Sequence, residues 1–134
     1  MQIPKGATVA VVDGQKLSLF RNGGDGSHPK LEALSTPTVS TDNKSGGGGH
    51  SSSAANPDDS TQDEDGFVAG VAELLNKQAV SGDLTKVVVI AAPKALGEIR
   101  KHYHAKLKDA LVGEISKDLT GQTSADIENA IAAA

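Results

Sequence analysis

The sequence contains no cysteine, which excludes disulfide bridges, cysteine nucleophiles, iron–sulfur clusters and thiolate zinc sites. Aromatic residues are nearly absent as well, since the 134 residues include no tryptophan, two phenylalanines and one tyrosine. Any core must therefore be built from Val, Ile, Leu and Ala. No apolar run approaches the roughly 20 residues that span a bilayer, and no signal-peptide pattern opens the chain. We therefore expect a cytoplasmic protein without a membrane span.

An excess of positive charge is also missing. Thirteen Lys and Arg residues stand against 17 Asp and Glu residues, which gives a net charge of −4 at pH 7. This balance argues against a protein that coats polyanions in general, so we expect no DNA partner. The length is that of one ordinary domain, and we predict a single domain over residues 1–134.

The N-terminal part of the chain has the pattern of β-structure. Thr8–Val12 is short, apolar and β-branched, as buried strands are. Asp13, Gly14 and Gln15 predict a tight turn in which the glycine takes a positive φ. Residues 16–21 then alternate between polar and apolar, which indicates a half-buried second strand. Residues 31–39 predict a third strand, which Pro37 limits to an edge position.

The next segment is different in kind. Residues 41–63 have no aliphatic side chain except two alanines. Their centre consists of four consecutive glycines and a histidine, namely Gly46, Gly47, Gly48, Gly49 and His50. Such a segment cannot bury enough apolar surface to offset the entropy lost on ordering. We predict a long mobile loop at 41–63 within the single domain.

From Glu64 onward the pattern becomes helical and then alternates with apolar runs. A first helix is indicated by an apolar stripe at spacings of three and four, made of Phe67, Val71, Leu74 and Leu75. Residues 86–91 are the most hydrophobic run and predict a central strand buried on both faces. Pro93 predicts the first turn of a helix that we expect to continue to Lys108.

The buried stripe of that second helix is predicted to be Leu96, Ile99, Tyr103 and Leu107. Residues 111–115 predict a fifth strand, although a helical continuation is the alternative. Residues 123–126 resemble a capping box and open a last helix. This order predicts an α/β fold: a mixed five-stranded sheet, made of a three-strand antiparallel meander plus two crossover strands, with helices on its faces. Ribonuclease-H-like folds and the central domain of peptide release factors share that outline.

Several short motifs, in the right order, resemble the bacterial host-attachment protein family. Residues 88–100 read VVIAAPKALGEIR and resemble its "APxxLGxLR" signature, and residues 117–120 match its "KDLT" element. Residues 11–14 resemble its opening strand and turn, and residues 67–76 resemble its "F…ELLN" helix. The resemblance covers nearly the whole chain. It implies a role in attachment to host cells and a similarity to the release-factor central domain, hence work at the ribosome.

In release factors a Gly-Gly-Gln loop triggers hydrolysis of peptidyl-tRNA, and this sequence contains no Gly-Gly-Gln. Its Gly-Gln pairs are Gly14-Gln15 in the predicted hairpin and Gly121-Gln122 before the last helix. We therefore expect a noncatalytic binding or adaptor domain associated with the ribosome or RNA. The alternative is a peptidyl-tRNA ester hydrolase of release-factor type that acts through the glycine-rich loop.

The strongest surface signal is a basic helix. Its candidate binding residues are Lys94, Arg100, Lys101 and Lys108, opposed before Asp109 only by Glu98. Such a face fits RNA phosphate or an acidic protein surface, and an ordinary solvated helix face is the alternative.

No catalytic residue, cofactor or metal site is predicted. The four histidines, His28, His50, His102 and His104, lack the spacing of a helical metal site. Asp13 and Asp118 could gather near strand ends around magnesium, as in ribonuclease-H-like enzymes, but both positions also suit turns. We favour the turn interpretation.

Overall fold

The computed structural model describes residues 1–25, 28–35, 39 and 59–134. Among these residues the elements follow in the order β1 (Thr8–Val12), β2 (Leu17–Asn22), β3 (Leu31–Ala33), α1 (Asp59–Ser81), β4 (Val87–Ala91), α2 (Pro93–Ile99), a 3₁₀ turn (Arg100–His102), α3 (Ala105–Ala110), β5 (Leu111–Ser116) and α4 (Ser124–Ala133). The predicted sequence of strands and helices is confirmed, except that a turn divides the second helix.

The strands form one mixed sheet in the order β3-β2-β1-β4-β5. β1 pairs antiparallel with β2 and β2 with β3, whereas β1–β4 and β4–β5 are parallel pairs. This confirms the predicted meander with two crossover strands. Every residue of β1 and β4 is buried, because both strands lie inside the sheet and are covered on both faces.

Two apolar layers cover the sheet. On one face the strands pack against α1, α2 and α3, through a cluster that includes Val71, Leu75 and Ile99. On the other face they pack against α4 and the N-terminal segment, through Ile3, Ile127 and Ile131. The sheet is therefore the middle layer of three, and β1 and β4 contribute alternate side chains to the two clusters.

Helix α1 begins at Asp59 rather than at Glu64, so its first turns lie within the predicted loop. The apolar period predicts only the turns that pack against the sheet, which explains the later predicted start. The buried side of α1 is also rotated from the prediction. Its fully covered residues are Val68, Val71, Ala72 and Leu75, whereas Phe67 and Leu74 are only partly buried.

Strand β3 is shorter than predicted, since it ends at Ala33, while its edge position is confirmed. Pro37 lies outside the described residues. Helix α4 begins as predicted, because the Thr123 side chain accepts a hydrogen bond of 3.2 Å from the Asp126 backbone N–H.

Candidate functional site

The carboxyl ends of β1, β4 and β5 meet at one edge of the sheet, which is called the carboxyl edge below. In open α/β sheets, ligands bind most often at such an edge. β3 runs in the same direction as β1, and α1 reaches this edge with Glu64 beside Gly14. The end of β3 and the turn of α1 that holds Glu64 therefore both lie on this side. The candidate loop residues, Gly46, Gly47, Gly48, Gly49 and His50, lie outside the described residues.

Asp13 and Asp118 come together at the carboxyl edge through Thr120. The Thr120 hydroxyl lies 2.8 Å from Asp13 Oδ2 and 2.6 Å from Asp118 Oδ1. A hydroxyl has one proton, so it donates to one carboxylate at a time. Asp118 also accepts the Thr120 backbone N–H at 3.2 Å. The two acids thus join the turn after β1 to the turn after β5.

Asp13 also closes its own turn. Its Oδ1 accepts the backbone N–H groups of Gln15 at 2.7 Å and Lys16 at 2.6 Å. Partial burial raises the pKa of Asp13, but the hydrogen bonds from Gln15, Thr120 and Lys16 outweigh that effect and hold the pKa below its usual value. These contacts support the turn interpretation. No group of three or more metal-ligating side chains occurs within the described part of the chain.

Gly14 does not have the predicted positive φ. The structure shows a different reason for a glycine at position 14, which is lack of space for a side chain. A Cβ at position 14 would lie 2.7 Å from Glu64 Cγ, so a side chain here would displace Glu64. The small cavity beside it holds about 80 Å³ and is lined partly by Glu64, Asp65 and Lys94. Such a volume accommodates a few water molecules and no nucleotide.

The predicted basic helix is wrong as one continuous helix. α2 ends at Ile99, a 3₁₀ turn follows, and Tyr103 is extended with φ −66° and ψ 127° before α3 begins. No proline or glycine occurs in this stretch, so neither of the residue types that usually interrupt a helix causes the break. We name residues 102–104, together with the side chain of Asn76 that binds them, the helix break.

Asn76 on α1 stabilises the helix break through hydrogen bonds to the backbone on both sides of Tyr103. Its Nδ2 donates to the His102 carbonyl oxygen at 2.8 Å, and its Oδ1 accepts the His104 N–H at 2.9 Å. His104 then begins α3, because its Nδ1 accepts the Lys106 backbone N–H at 3.0 Å. An imidazole nitrogen that accepts carries no proton, so the neutral ring has its proton on Nε2.

Arg100 and Lys101, among the candidate basic residues, form ion pairs. Arg100 donates to Glu114 Oε1 through Nε at 3.0 Å and Nη2 at 2.6 Å, and Lys101 Nζ lies 3.1 Å from Glu98 Oε1. Glu98 also meets His102 Nε2 at 3.1 Å. Hydrogen bonding from His102 and Lys101 lowers the pKa of Glu98 despite partial burial. Lys94, at the start of α2, and Lys108, on α3, are exposed.

Glu114 lies on the same face as Arg100 and Tyr103, a position that the sequence analysis does not predict. Tyr103 donates its hydroxyl to Glu114 Oε2 at 2.7 Å, so both carboxylate oxygens are bonded. Burial raises the pKa of Glu114, yet the bonds from Arg100 and Tyr103 leave it below its usual value. Burial, followed by the bond to Glu114, raises the pKa of the Tyr103 phenol. Glu114 reaches the α2–α3 side because an irregularity between Leu111 and Gly113 breaks the alternation of β5, so strand periodicity alone does not predict this position.

His102 and His104 do line a common feature, a cavity of about 710 Å³ between α1 and the helix break. Its walls also include Asn76, Lys77 and Val80. This cavity could not be predicted from the sequence, because residues of α1 and of the helix break meet only in the folded chain. No helix in the part of the chain that the structure describes is long and apolar enough to cross a membrane.

Comparison with known protein families identifies a family model that matches this chain. A search of curated proteins finds no match. The model of the bacterial archaeo-eukaryotic release factor family 12 matches residues 6–131, which include all five strands and nearly all of α4. The match confirms the release-factor part of the resemblance, while the host-attachment assignment stays a prediction. This chain belongs to bacterial archaeo-eukaryotic release factor family 12.

Proposed function

We propose that the chain is a noncatalytic binding domain that associates with the ribosome through RNA. The observation that carries the proposal is membership of a release-factor family over residues 6–131 in a sequence without Gly-Gly-Gln. Family membership favours a ribosomal partner, and the missing glutamine argues against hydrolysis. The acidic net charge of −4 means that any contact with RNA must be local.

Both Gly-Gln pairs of the sequence have structural roles. Gln15 donates its backbone N–H to Asp13 within the β1–β2 turn. Gly121 has φ 81°, and the next residue, Gln122, donates its N–H to the Leu119 carbonyl at 3.1 Å. Both pairs therefore belong to tight turns, and neither lies in the segment between β3 and α1. This supports a binding role over hydrolysis.

The basic residues of α2, the 3₁₀ turn and α3 supply the proposed contact with RNA. The side chains of Arg100 and Lys101 are 56% and 70% exposed, whereas those of their partners Glu114 and Glu98 are 17% exposed, so the cationic side of each ion pair faces solvent. A phosphate group can compete for such an exposed cation. Lys94 and Lys108 extend the same basic segment at its two ends.

Co-sedimentation with purified ribosomes at low and high salt tests the proposal. We expect the protein to pellet with ribosomes at low salt and to be released by high salt, since counterion release drives contacts with phosphate. The double variant Lys101→Gln and Lys108→Gln should pellet less. The matched control, Lys5→Gln and Lys30→Gln, removes the same charge elsewhere and should pellet like the wild type. No sedimentation of the wild type at any salt would refute the proposal.

Hydrolysis of peptidyl-tRNA is the second candidate. It is favoured by the place where the glycine-rich segment joins the fold, since β3 and α1 both lead to the carboxyl edge, where functional loops of such sheets gather. A release assay with peptidyl-tRNA on ribosomes tests this candidate. We expect no release above background. Release that disappears when residues 45–53 are deleted would replace the binding proposal with the hydrolase.

A further inference from the structure

The cavity beside the helix break lies at the end of the fold away from the carboxyl edge. α1 starts at that edge and ends at Ser81, where the chain turns back to begin β4. The cavity volume of about 710 Å³ is within the range of small-molecule sites, about 300 to 1,000 Å³. It is thus large enough for one nucleotide, unlike the cavity at the carboxyl edge.

One wall of the cavity is apolar. Ala69 and Val80 contribute to it, and Val80 is 58% exposed. Within the described ranges Val80 is the one large hydrophobic residue that is exposed. Single exposed apolar residues are common on protein surfaces. This one, however, lines the same concave surface as His102 and His104, so a flat ring bound there would meet both apolar and aromatic atoms.

The polar wall offers hydrogen-bond donors. Lys77 is exposed, and its ammonium group has no hydrogen bond or ion pair with a described residue. His104 lines the cavity with its Nδ1 occupied by the Lys106 N–H, so its Nε2–H is the donor that remains. A cation and a fixed N–H donor favour an anionic group such as phosphate.

Glu73 also lines the cavity and adds a negative charge to its wall. A bare inorganic anion would be repelled by Glu73. A nucleotide matches the other lining residues, because it has a flat base for the apolar wall and a phosphate group for the cation and the N–H donor. Single-stranded RNA is commonly recognised in this way, by stacking on aromatic rings that include histidine.

The cavity is formed before any ligand binds. Asn76 holds the backbone on both sides of the helix break with bonds of 2.8 and 2.9 Å, and the break presents His102 and His104 to the cavity. Interruptions of helices by a 3₁₀ turn frequently mark functional positions. Lys101 and Lys106, which flank the break in sequence, add positive charge for neighbouring phosphates.

We propose that this cavity binds one nucleotide of single-stranded RNA, with the base against Val80 and the imidazole rings and the phosphate toward Lys77 and His104. The inference rests on the proposed association with ribosomal RNA and names the site at which it occurs.

Two substitutions at one exposed position provide the first test. Val80→Glu and Val80→Lys place opposite charges in the cavity wall, and neither disturbs the core. Anisotropy of a short labelled single-stranded RNA reports affinity. We expect Val80→Glu to weaken binding about five-fold or more, and Val80→Lys to leave it equal or stronger. Equal affinities for both variants would overturn the inference.

The ring of His104 provides the second test. His104→Asn keeps a residue that caps helices well, so α3 should be retained, but it removes the imidazole. Loss of stacking on one base should weaken RNA binding at least about five-fold, at an unchanged melting temperature. Wild-type affinity in this variant would overturn the proposed stacking.

The outcomes separate this inference from the proposed function. If the wild type pellets with ribosomes and binds RNA, but neither Val80→Glu nor His104→Asn weakens binding, the cavity is not the site and the proposed function stands. If Val80→Glu weakens sedimentation while the protein binds no free RNA, the cavity meets a ribosomal protein and the inference is wrong. If the wild type binds neither ribosomes nor RNA, both proposals are wrong.

Discussion

The two ends of the sheet use their polar residues in opposite ways. At the carboxyl edge, Asp13, Asp118 and Thr120 bond to one another and to nearby backbone N–H groups. At the helix break, Asn76 satisfies the backbone, while Lys77 and the His104 Nε2 remain directed to no described partner. The residue types that suggest catalysis in the sequence serve as turn acceptors, whereas the cavity at the helix break combines Asn76 of the ELLN segment with residues outside the quoted motifs, such as Lys77 and His104.

The two ends of the sheet also differ in how far apart in sequence their hydrogen-bonding partners are. The turns at the carboxyl edge are closed mostly by residues two or three positions apart. The helix break is closed by Asn76, which is 28 positions from His104. A local turn can form whenever its own residues are together, whereas the helix break requires α1 to be packed on the sheet. The cavity is therefore a product of tertiary structure.

The largest expected effect tests the core that both ends share. Ile99 is fully buried on α2, so Ile99→Asp would place an unpaired charge inside the apolar layer. We expect a loss of more than about 4 kcal/mol in the free energy of unfolding, enough to abolish cooperative melting. Circular dichroism during heating measures it. The exposed Lys101→Asp is the control and should melt cooperatively, and a folded Ile99→Asp variant would contradict the packing of α2.

The second effect concerns the helix break itself. Asn76→Ala removes the partner of the His102 carbonyl and the His104 N–H, and we expect a loss of about 1 to 2 kcal/mol. Asn76→Asp keeps the acceptor for His104 but places a carboxylate oxygen against the His102 carbonyl oxygen, so its loss should be at least as large. Urea denaturation gives both values. If both variants match the wild type, the break is determined by local sequence and the contrast between the two ends disappears.

The third effect concerns the carboxyl edge. Thr120→Val removes the hydroxyl shared by Asp13 and Asp118, and we expect a loss of about 1 kcal/mol. Thr120→Ser retains the hydroxyl and should unfold close to the wild type in urea. Because Thr120 helps to lower the pKa of Asp13, that pKa should rise in Thr120→Val, which carboxyl chemical shifts during an acid titration can measure. An unchanged pKa would refute the bridge.

Much of the fold could be predicted from the sequence because its signals are local. β1 and β4 are continuous apolar runs, and both are buried in the middle of the sheet. The helix termini at Pro93 and Thr123 follow from backbone hydrogen-bonding needs that a few residues reveal. Even the stripe of the divided helix is right at Leu96, Ile99 and Leu107, since each packs against the same layer.

The candidate site could not be predicted to the same extent. The periodicity of residues 93–108 is compatible with one helix. The chain is nevertheless extended at Tyr103, next to the hydrogen bond between Asn76 and the His104 N–H, and this contact is not visible in the sequence. The charge balance of the basic segment changes as well, because Glu114 reaches Arg100 from β5. Both contacts link residues that are well separated in sequence. Neither the asparagine nor the glutamate indicates, from the sequence alone, which residue it contacts.

The pH dependence of stability gives a smaller effect. The pKa of Asp13 is lower in the folded chain than its usual value, so the folded form holds its proton less tightly. Its contribution is present above the unfolded-state pKa and is lost as pH falls through the lower folded-state pKa. We expect Asp13→Asn to lose less stability than the wild type on acidification below about pH 4. Urea midpoints at neutral and acidic pH measure this, with Glu114→Gln as a separate variant because the Glu114 pKa is lowered too. Parallel pH profiles for Asp13→Asn and the wild type would contradict the assignment.

The smallest effect on stability belongs to the basic segment. Lys101→Gln removes only an exposed pair with Glu98, and Lys108→Gln removes a cation in the last turn of α3, so each should cost under about 0.5 kcal/mol. If both lysines contact RNA phosphate, the same double variant should reduce the slope of log affinity against log salt by up to about 1.4, since each contact to a single strand contributes about 0.7. Anisotropy titrations over a salt series measure the slope, and Lys5→Gln with Lys30→Gln should leave it unchanged. An unchanged slope in the Lys101 and Lys108 variant would make this segment a solvated surface.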